Sequence, residues 1–256
     1  MSLSPDNRQI NNVFCISPID SAFQDLYLAV RSSENRLYPD EVVVNLPFFE
    51  GKQIYQKEWQ MRLDSSRKVL SKIRELKFRN ILDLGCGNGW FISKVAEIEN
   101  TTVYGADINM VELEQASRLF TSKGCQFLYW NIFESNWTGA PFDLVVLNSS
   151  VQYFDSIKRL TDRLFEFMLP GGSIFIWDSP IYRPEEKQLA RIRSNKYFQN
   201  QLVPEMINYY YHHTWDQLQG LNYSILYNPN EFSNIVIRKV FKRRSPFYWI
   251  SILKPN

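Results

Sequence analysis

Residues 81–89 read Ile81-Leu82-Asp83-Leu84-Gly85-Cys86-Gly87-Asn88-Gly89, an apolar run that ends in an acid and three glycines at alternate positions. Apolar residues resume at Trp90. A short apolar run bounded in this way reads as a buried parallel strand. The stretch therefore predicts a strand, a tight turn and a helix start.

Alternate glycines remove the side chains that would hold a ligand off the backbone, and they allow turn dihedrals that other residues resist. The free amides of a helix start then face that ligand, which suits a nucleotide-like cofactor. Dinucleotide-binding turns usually carry G-x-G-x-x-G, whose third glycine falls here on Trp90. The chain instead carries D-x-G-x-G-x-G, and it resembles the first motif of the class I S-adenosylmethionine (SAM) dependent methyltransferases.

Two further features come in that family's order. A strand over 101–106 ends in Asp107, about 20 residues beyond the first glycine, where a carboxylate offers paired acceptors to a ribose diol. A helix cap is the other reading of Asp107, but Asn109-x-x-Glu112 already resembles a capping box for the next helix. Later, Leu169-Pro170-Gly171-Gly172 precedes a strand over 173–177, as in the same family.

Along the chain, residues 1–16 read as a mobile tail, and Asp20 or Ser21 as the cap of a short helix with Phe23, Leu26, Tyr27 and Val30. An irregular stretch comes next. From 56 to 76, Trp59, Leu63, Ser66, Leu70 and Ile73 step by three and four, the mark of one helix face. Arg62 beside that stripe has two readings, a solvated arginine, which the spacing favours, and a reach to the cofactor's carboxylate. After Asp107 come a helix (110–121), a strand (125–130), a strand (142–147) and a helix (157–168). That alternation implies a parallel sheet with right-handed crossovers.

Residues 183–220 read as helical, with a cluster of Tyr209, Tyr210, Tyr211, His212, His213 and Trp215, packed on the core or closing over substrate. Residues 223–227 and 247–253, flanking 231–240, read as strands, and the resemblance implies that they supply an antiparallel closing hairpin. Arg238, Lys239, Lys242, Arg243 and Arg244 make a basic run that reads as a solvated face.

Charge is balanced, with Lys plus Arg at 29 against Asp plus Glu at 27, so no polyanion partner is indicated. Cys15, Cys86 and Cys125 lack metal-site or disulfide spacing, and His212 and His213 are the only histidines. No metal is expected. With no apolar signal core in Met1–Asn12 and no long apolar run, a cytoplasmic protein without membrane spans is expected.

The resemblance implies an α/β, three-layer, Rossmann-like, mostly parallel sheet of seven strands with an antiparallel closing hairpin and an N-terminal helical extension. Residues 1–77 would be that tail and cap, and 78–256 the SAM-binding domain with a helical insertion around 183–220. It implies that Asp83 and the turn Gly85, Cys86, Gly87, Asn88 and Gly89 hold the methionine portion. Asp107 with Ile108 would hold the ribose, Asn131 with Ile132 the adenine, and Asn148 with Ser149 would lie beneath the sulfonium. Position 131 departs from the acid usual there, though an asparagine carbonyl also accepts. Gln152, Tyr153 and Tyr182 would border the acceptor.

Asn148-Ser149-Ser150-Val151 replaces the Pro-Pro motif of base-amino methyltransferases, which disfavours a nucleic acid acceptor. The expected activity is methyl transfer from SAM to a small-molecule or glycan-type hydroxyl or amine. If the acceptor is a hydroxyl a base is needed, and Asp178, His212 and His213 are the candidates. A non-catalytic SAM-binding protein, an RNA methyltransferase and a nicotinamide oxidoreductase are the competing readings. Oligomeric state has no signature here.

Overall fold

Side-chain alternation along the central strands sorts the chain into layers. Ile81, Val103, Phe127, Leu144 and Phe175 enter one buried cluster, and their neighbours Leu82, Tyr104, Leu128, Val145 and Ile174 enter another on the opposite face. Both faces of the sheet are therefore covered, as an apolar parallel sheet requires.

The computed structural model describes residues 8–241 and 244–256. In chain order the elements are β1 (Gln9–Ile10), β2 (Val13–Cys15), α1 (Ala22–Ser33), α2 (Asp40–Val43), α3 (Gln53–Leu76), β3 (Asn80–Leu84), α4 (Trp90–Val95), β4 (Thr102–Asp107), α5 (Met110–Phe120), β5 (Cys125–Tyr129), β6 (Phe142–Asn148), α6 (Ile157–Phe165), β7 (Met168–Trp177), α7 (Lys187–Asn200), β8 (Tyr223–Tyr227), α8 (Phe232–Phe241) and β9 (Trp249–Leu253). The sheet runs β1-β2-β5-β4-β3-β6-β7-β9-β8. Strands β2 through β7 are parallel to their neighbours, while β1 and the β9-β8 hairpin are antiparallel.

The sheet thus has nine strands where seven were expected, and the extra pair corrects the reading of a mobile tail. Val13 is fully buried, and β2 pairs with Phe127, Leu128 and Tyr129 of β5. Ser17 then locks the junction, its hydroxyl donating to Asn131 O at 3.2 Å and accepting from Asn131 N at 2.9 Å. Three residues are too few to show a period, so this edge strand has no signature of its own. Residues 1–7 of that tail lie outside the described residues.

Helix α3 keeps to its stripe. Trp59, Ser66 and Ile73 are buried, and Trp59, Val69 and Ile73 join the same cluster as β3 and β4. The N-terminal stretch is therefore partly integral to the sheet: α3 and β2 build its layers, and only α1 stands apart. Asn109 caps α5 by accepting from Glu112 N at 3.2 Å, and Asp20 accepts from Ala22 N at 2.9 Å ahead of α1.

The insertion is less helical than expected. Beyond α7 it continues in short 3-10 turns at Pro204–Tyr209 and Trp215–Leu218, and His212-His213 sit in the extended stretch between them. A bridge from Tyr182 to Thr214 closes its base. Val30 of α1 packs with Phe198, Val203 and Met206 in a third, separate cluster. Burying such side chains stabilises by roughly 1.5–3 kcal/mol each, so α1 and the insertion, far apart in sequence, form one lid.

Candidate functional site

Chain order reverses between β3 and β6, since β4 and β5 lie to one side of β3 and β6 and β7 to the other. Ligands in open α/β sheets sit beyond the strand ends at such a point. A cavity of about 390 Å³ opens there, roofed by α1.

The glycine turn leaves β3 with Gly85 N and Cys86 N both donating to Ala106 O, at 2.8 and 3.1 Å. Asp107 organises the rest of the turn and the loop beyond β4: its Oδ2 accepts from Gly87 N at 2.8 Å, and its Oδ1 from Ile108 N and Asn109 N at 2.8 and 2.9 Å. Gly87 has φ +52, and a Cβ there would lie 3.1 Å from the Glu112 carboxylate. Gly89 serves packing instead, because a Cβ would fall 2.9 Å from both Ala116 and Phe127.

Of the predicted cofactor residues, Gly85, Cys86, Gly87, Asn88, Asp107, Ile108, Asn131, Ile132, Asn148 and Ser149 line this cavity. Asp83 and Gly89 stand behind it. Asp83 is buried, its Oδ1 has no hydrogen-bond partner, and burial, reinforced by the Asp107 charge, pushes its pKa up to about 8. Asn148 Oδ1, on the cavity wall, is likewise buried without a partner. Unmatched buried acceptors are costly in a finished core. An unmatched acceptor on the wall, a glycine-rich turn and an acid at the end of β4 fit a cationic nucleoside ligand.

Sequence reasoning missed Glu112. Its role as partner in a cap concealed that its carboxylate reaches the cavity, where burial and the Asp107 charge raise its pKa to about 7 against the pull of Arg31 and Arg36. Arg62 is a correction: it is 13% exposed, donates to Glu58 at 3.0 Å and lies over the Trp59 ring at 5.4 Å. An arginine that stacks and pairs inside the fold is not a solvated one, and Arg62 lines the cavity.

A second chamber of about 590 Å³ adjoins the first under the lid. Tyr27, Arg31, Arg36, Arg62, Ser149 and Tyr153 border both. Gln152 and Asp178 face only the second. Asp178 is buried, accepts from Ser65 Oγ at 3.1 Å and has its pKa raised by burial against the pull of Arg62 and nearby polar groups. Ser149 and Asp178, at the ends of adjacent strands, both have positive φ, 56 and 50. For non-glycine residues that is strain, of the kind stored at functional sites.

Tyr182, His212 and His213 border neither chamber among the described residues. The histidines, expected in a helical region and as candidate bases, are 4% and 1% exposed. His212 Nε2 lies 2.8 Å from Ser194 Oγ, and His213 bridges Val151 O at 3.0 Å and Gln217 Oε1 at 2.9 Å. Burial lowers both pKa values. They fasten the lid rather than face the site. Of the basic run, Arg244 pairs with Asp64 at 3.1 Å, while Lys242 and Arg243 lie outside the described residues.

Among the described residues, no helix is long and apolar enough to cross a membrane. No group of three or more His, Cys, Asp or Glu is placed to hold a metal ion among them.

Residues 81–172 match the model of a methyltransferase domain family. The chain is 26% identical over 133 residues to a malonyl-[acyl-carrier protein] O-methyltransferase of Enterobacter lignolyticus, covering 52% of each chain. It is 30% identical over 115 residues to a trans-aconitate 2-methyltransferase of Deinococcus radiodurans, 43% of this chain and 42% of that one. The chain spans about half the length of the curated relatives it matches. Among solved structures, phosphoethanolamine N-methyltransferase 2 of Haemonchus contortus with SAM superposes at a TM-score of 0.56 and 14% identity, over 92% of this chain and 60% of that one. A plantazolicin methyltransferase with a triazolic analogue and S-adenosylhomocysteine (SAH) gives 0.55 at 13% identity, over 93% and 100%.

Proposed function

We propose that the chain, whose residues 81–172 match a methyltransferase domain family, is a class I SAM-dependent methyltransferase that transfers the methyl group of SAM to a small-molecule acceptor held in the second chamber. The observation that carries this is the pair of joined cavities, one walled by the glycine turn, Asp107 and Asn148, the other closed by the lid, meeting at Ser149 and Tyr153.

Arg62 and the amides of the turn from Gly85 to Asn88 would hold the methionine portion. Asp107 would take the ribose, with Glu112 beside it, because three backbone amides already occupy most of the carboxylate's acceptor sites. Asn131 and Ile132, at the end of β5, would take the adenine. The unmatched Asn148 Oδ1 would meet the positively charged end of the donor. The sulfonium methyl is already activated, so what the chain must add is orientation, which is worth several kcal/mol when the reacting atoms are held in line. Gln152 and Tyr153 border the acceptor, Asp178 faces it from the chamber wall, and the lid excludes water.

Calorimetric titration with SAM, SAH and NAD in parallel tests the reading. Micromolar binding of the first two without the third is expected. Binding of NAD alone, or of none, overturns it.

A further inference from the structure

The second chamber holds more arginine than its acids balance. Arg31, Arg36 and Arg62 line it together with Arg193 of α7. Glu34 lies 3.3 Å from Arg31 and 3.9 Å from Arg36, and Glu58 lies 2.6 Å from Arg36 and 3.0 Å from Arg62. Arg193 has no salt bridge within 4 Å among the described residues. Within this chamber four guanidiniums thus meet two glutamates, with Glu112 acting on Arg31 and Arg36 from the first chamber, and the third acid on this wall, Asp178, is driven towards its neutral form by burial. Arg36 Nε is also buried without a hydrogen-bond partner.

The methionine carboxylate of the donor would take one excess charge at Arg62, where the two chambers meet. Arg193, in no salt bridge among the described residues, leaves the other for the acceptor. Around it the walls are aromatic, with Tyr27, Tyr153, Tyr197 and Tyr210. Guanidinium binds carboxylate through paired N–H donors, and tyrosine rings cover an apolar body.

Resting on the methyltransferase reading, we propose that the acceptor is a carboxylic acid with an apolar or aromatic body, drawn in by Arg31, Arg36 and Arg193 and methylated on its carboxylate oxygen. That oxygen forms the O–CH3 bond as the S–CH3 bond breaks. The electron pair of the broken bond stays on sulfur, the sulfonium and carboxylate charges cancel, and no proton moves. A general base is therefore unnecessary, in keeping with two histidines that face neither chamber. The neutral ester has lost its hold on the arginines, which favours release.

The test loads the full chain with SAH and titrates it with hexanoate, trans-cinnamate and 4-phenylbutyrate, the corresponding amides, and phenyl phosphate. Carboxylates should bind at least about tenfold more tightly than their amides. Arg193→Gln, a change at an exposed side chain, should abolish that preference while leaving SAH affinity unchanged. With methyl-labelled SAM, the tightest-binding acid should acquire a methyl that dilute alkali releases as methanol. Amides binding as well as acids, or phenyl phosphate binding in preference, overturns the carboxylate assignment. An alkali-stable product, or a bound acid that gains no methyl, overturns methylation at oxygen. Failure to bind SAM and SAH at all removes the methyltransferase reading itself, and is seen before any acid is added.

Discussion

Asp107 shows how one carboxylate serves two ends. It pins the glycine turn through Gly87 N and the start of the next loop through Ile108 N and Asn109 N, while standing on the cavity wall. Asp107→Ala should weaken SAM binding by about 1–3 kcal/mol, read by calorimetry, since ribose hydroxyls lose a charged partner and the turn loses its anchor. Unchanged affinity would mean that the ribose lies elsewhere. Glu112 adds a pH dependence. Its pKa near 7 leaves it partly protonated at neutral pH, and a cationic ligand favours the ionised form. SAM affinity should therefore rise as pH passes upward through about 7, and Glu112→Gln should flatten that rise. A parallel rise in the variant would assign the titration to another group. Neither the pH dependence nor Arg31 and Arg36 has a motif: a glutamate in a capping position and arginines in a short helix and a loop look like ordinary surface residues until tertiary packing turns them inward.

At the scale of elements, the parts written in local chemistry were legible and those written in long-range contacts were not. The strand-turn-helix at 81–95, the acid closing β4 and the cap of α5 are each specified by residues a few positions apart. The β1-β2 edge exists because β5 offers a free edge and Val13 a buried side chain. The lid exists because α1 and α7 meet through Val30 and Phe198. Nothing local announces either. Long-range packing likewise reassigns His213, which reaches Val151 O across the base of the lid. His213→Ala should cost about 1–3 kcal/mol of stability, because it removes a buried ring and its hydrogen bonds to Val151 O and Gln217 Oε1. It should also speed hydrogen exchange across the insertion while the pH profile of kcat keeps its shape. Loss of a titration from that profile would restore His213 as a general base.

Across the whole molecule, charge is nearly balanced and the central sheet is sealed on both faces, yet a carboxyl lies within it. Asp83 occupies β3 between Gly105 and Val146, 1% exposed, with one oxygen unpaired. Its pKa of about 8 lies well above that of an acid in the unfolded chain. Between those values the unfolded chain releases a proton that the folded protein retains, so stability falls with rising pH across that range. The contribution is intact below the unfolded pKa and is lost as pH rises towards the folded one. Thermal melts of wild type and Asp83→Asn from about pH 5 to about pH 8 isolate it, since asparagine keeps the shape of the neutral acid and cannot ionise. The variant should gain steadily on the wild type as pH rises. A constant difference would show that Asp83 is already ionised in the folded protein, and that the unmatched oxygen behind the glycine turn is stabilised by a partner the fold does not display.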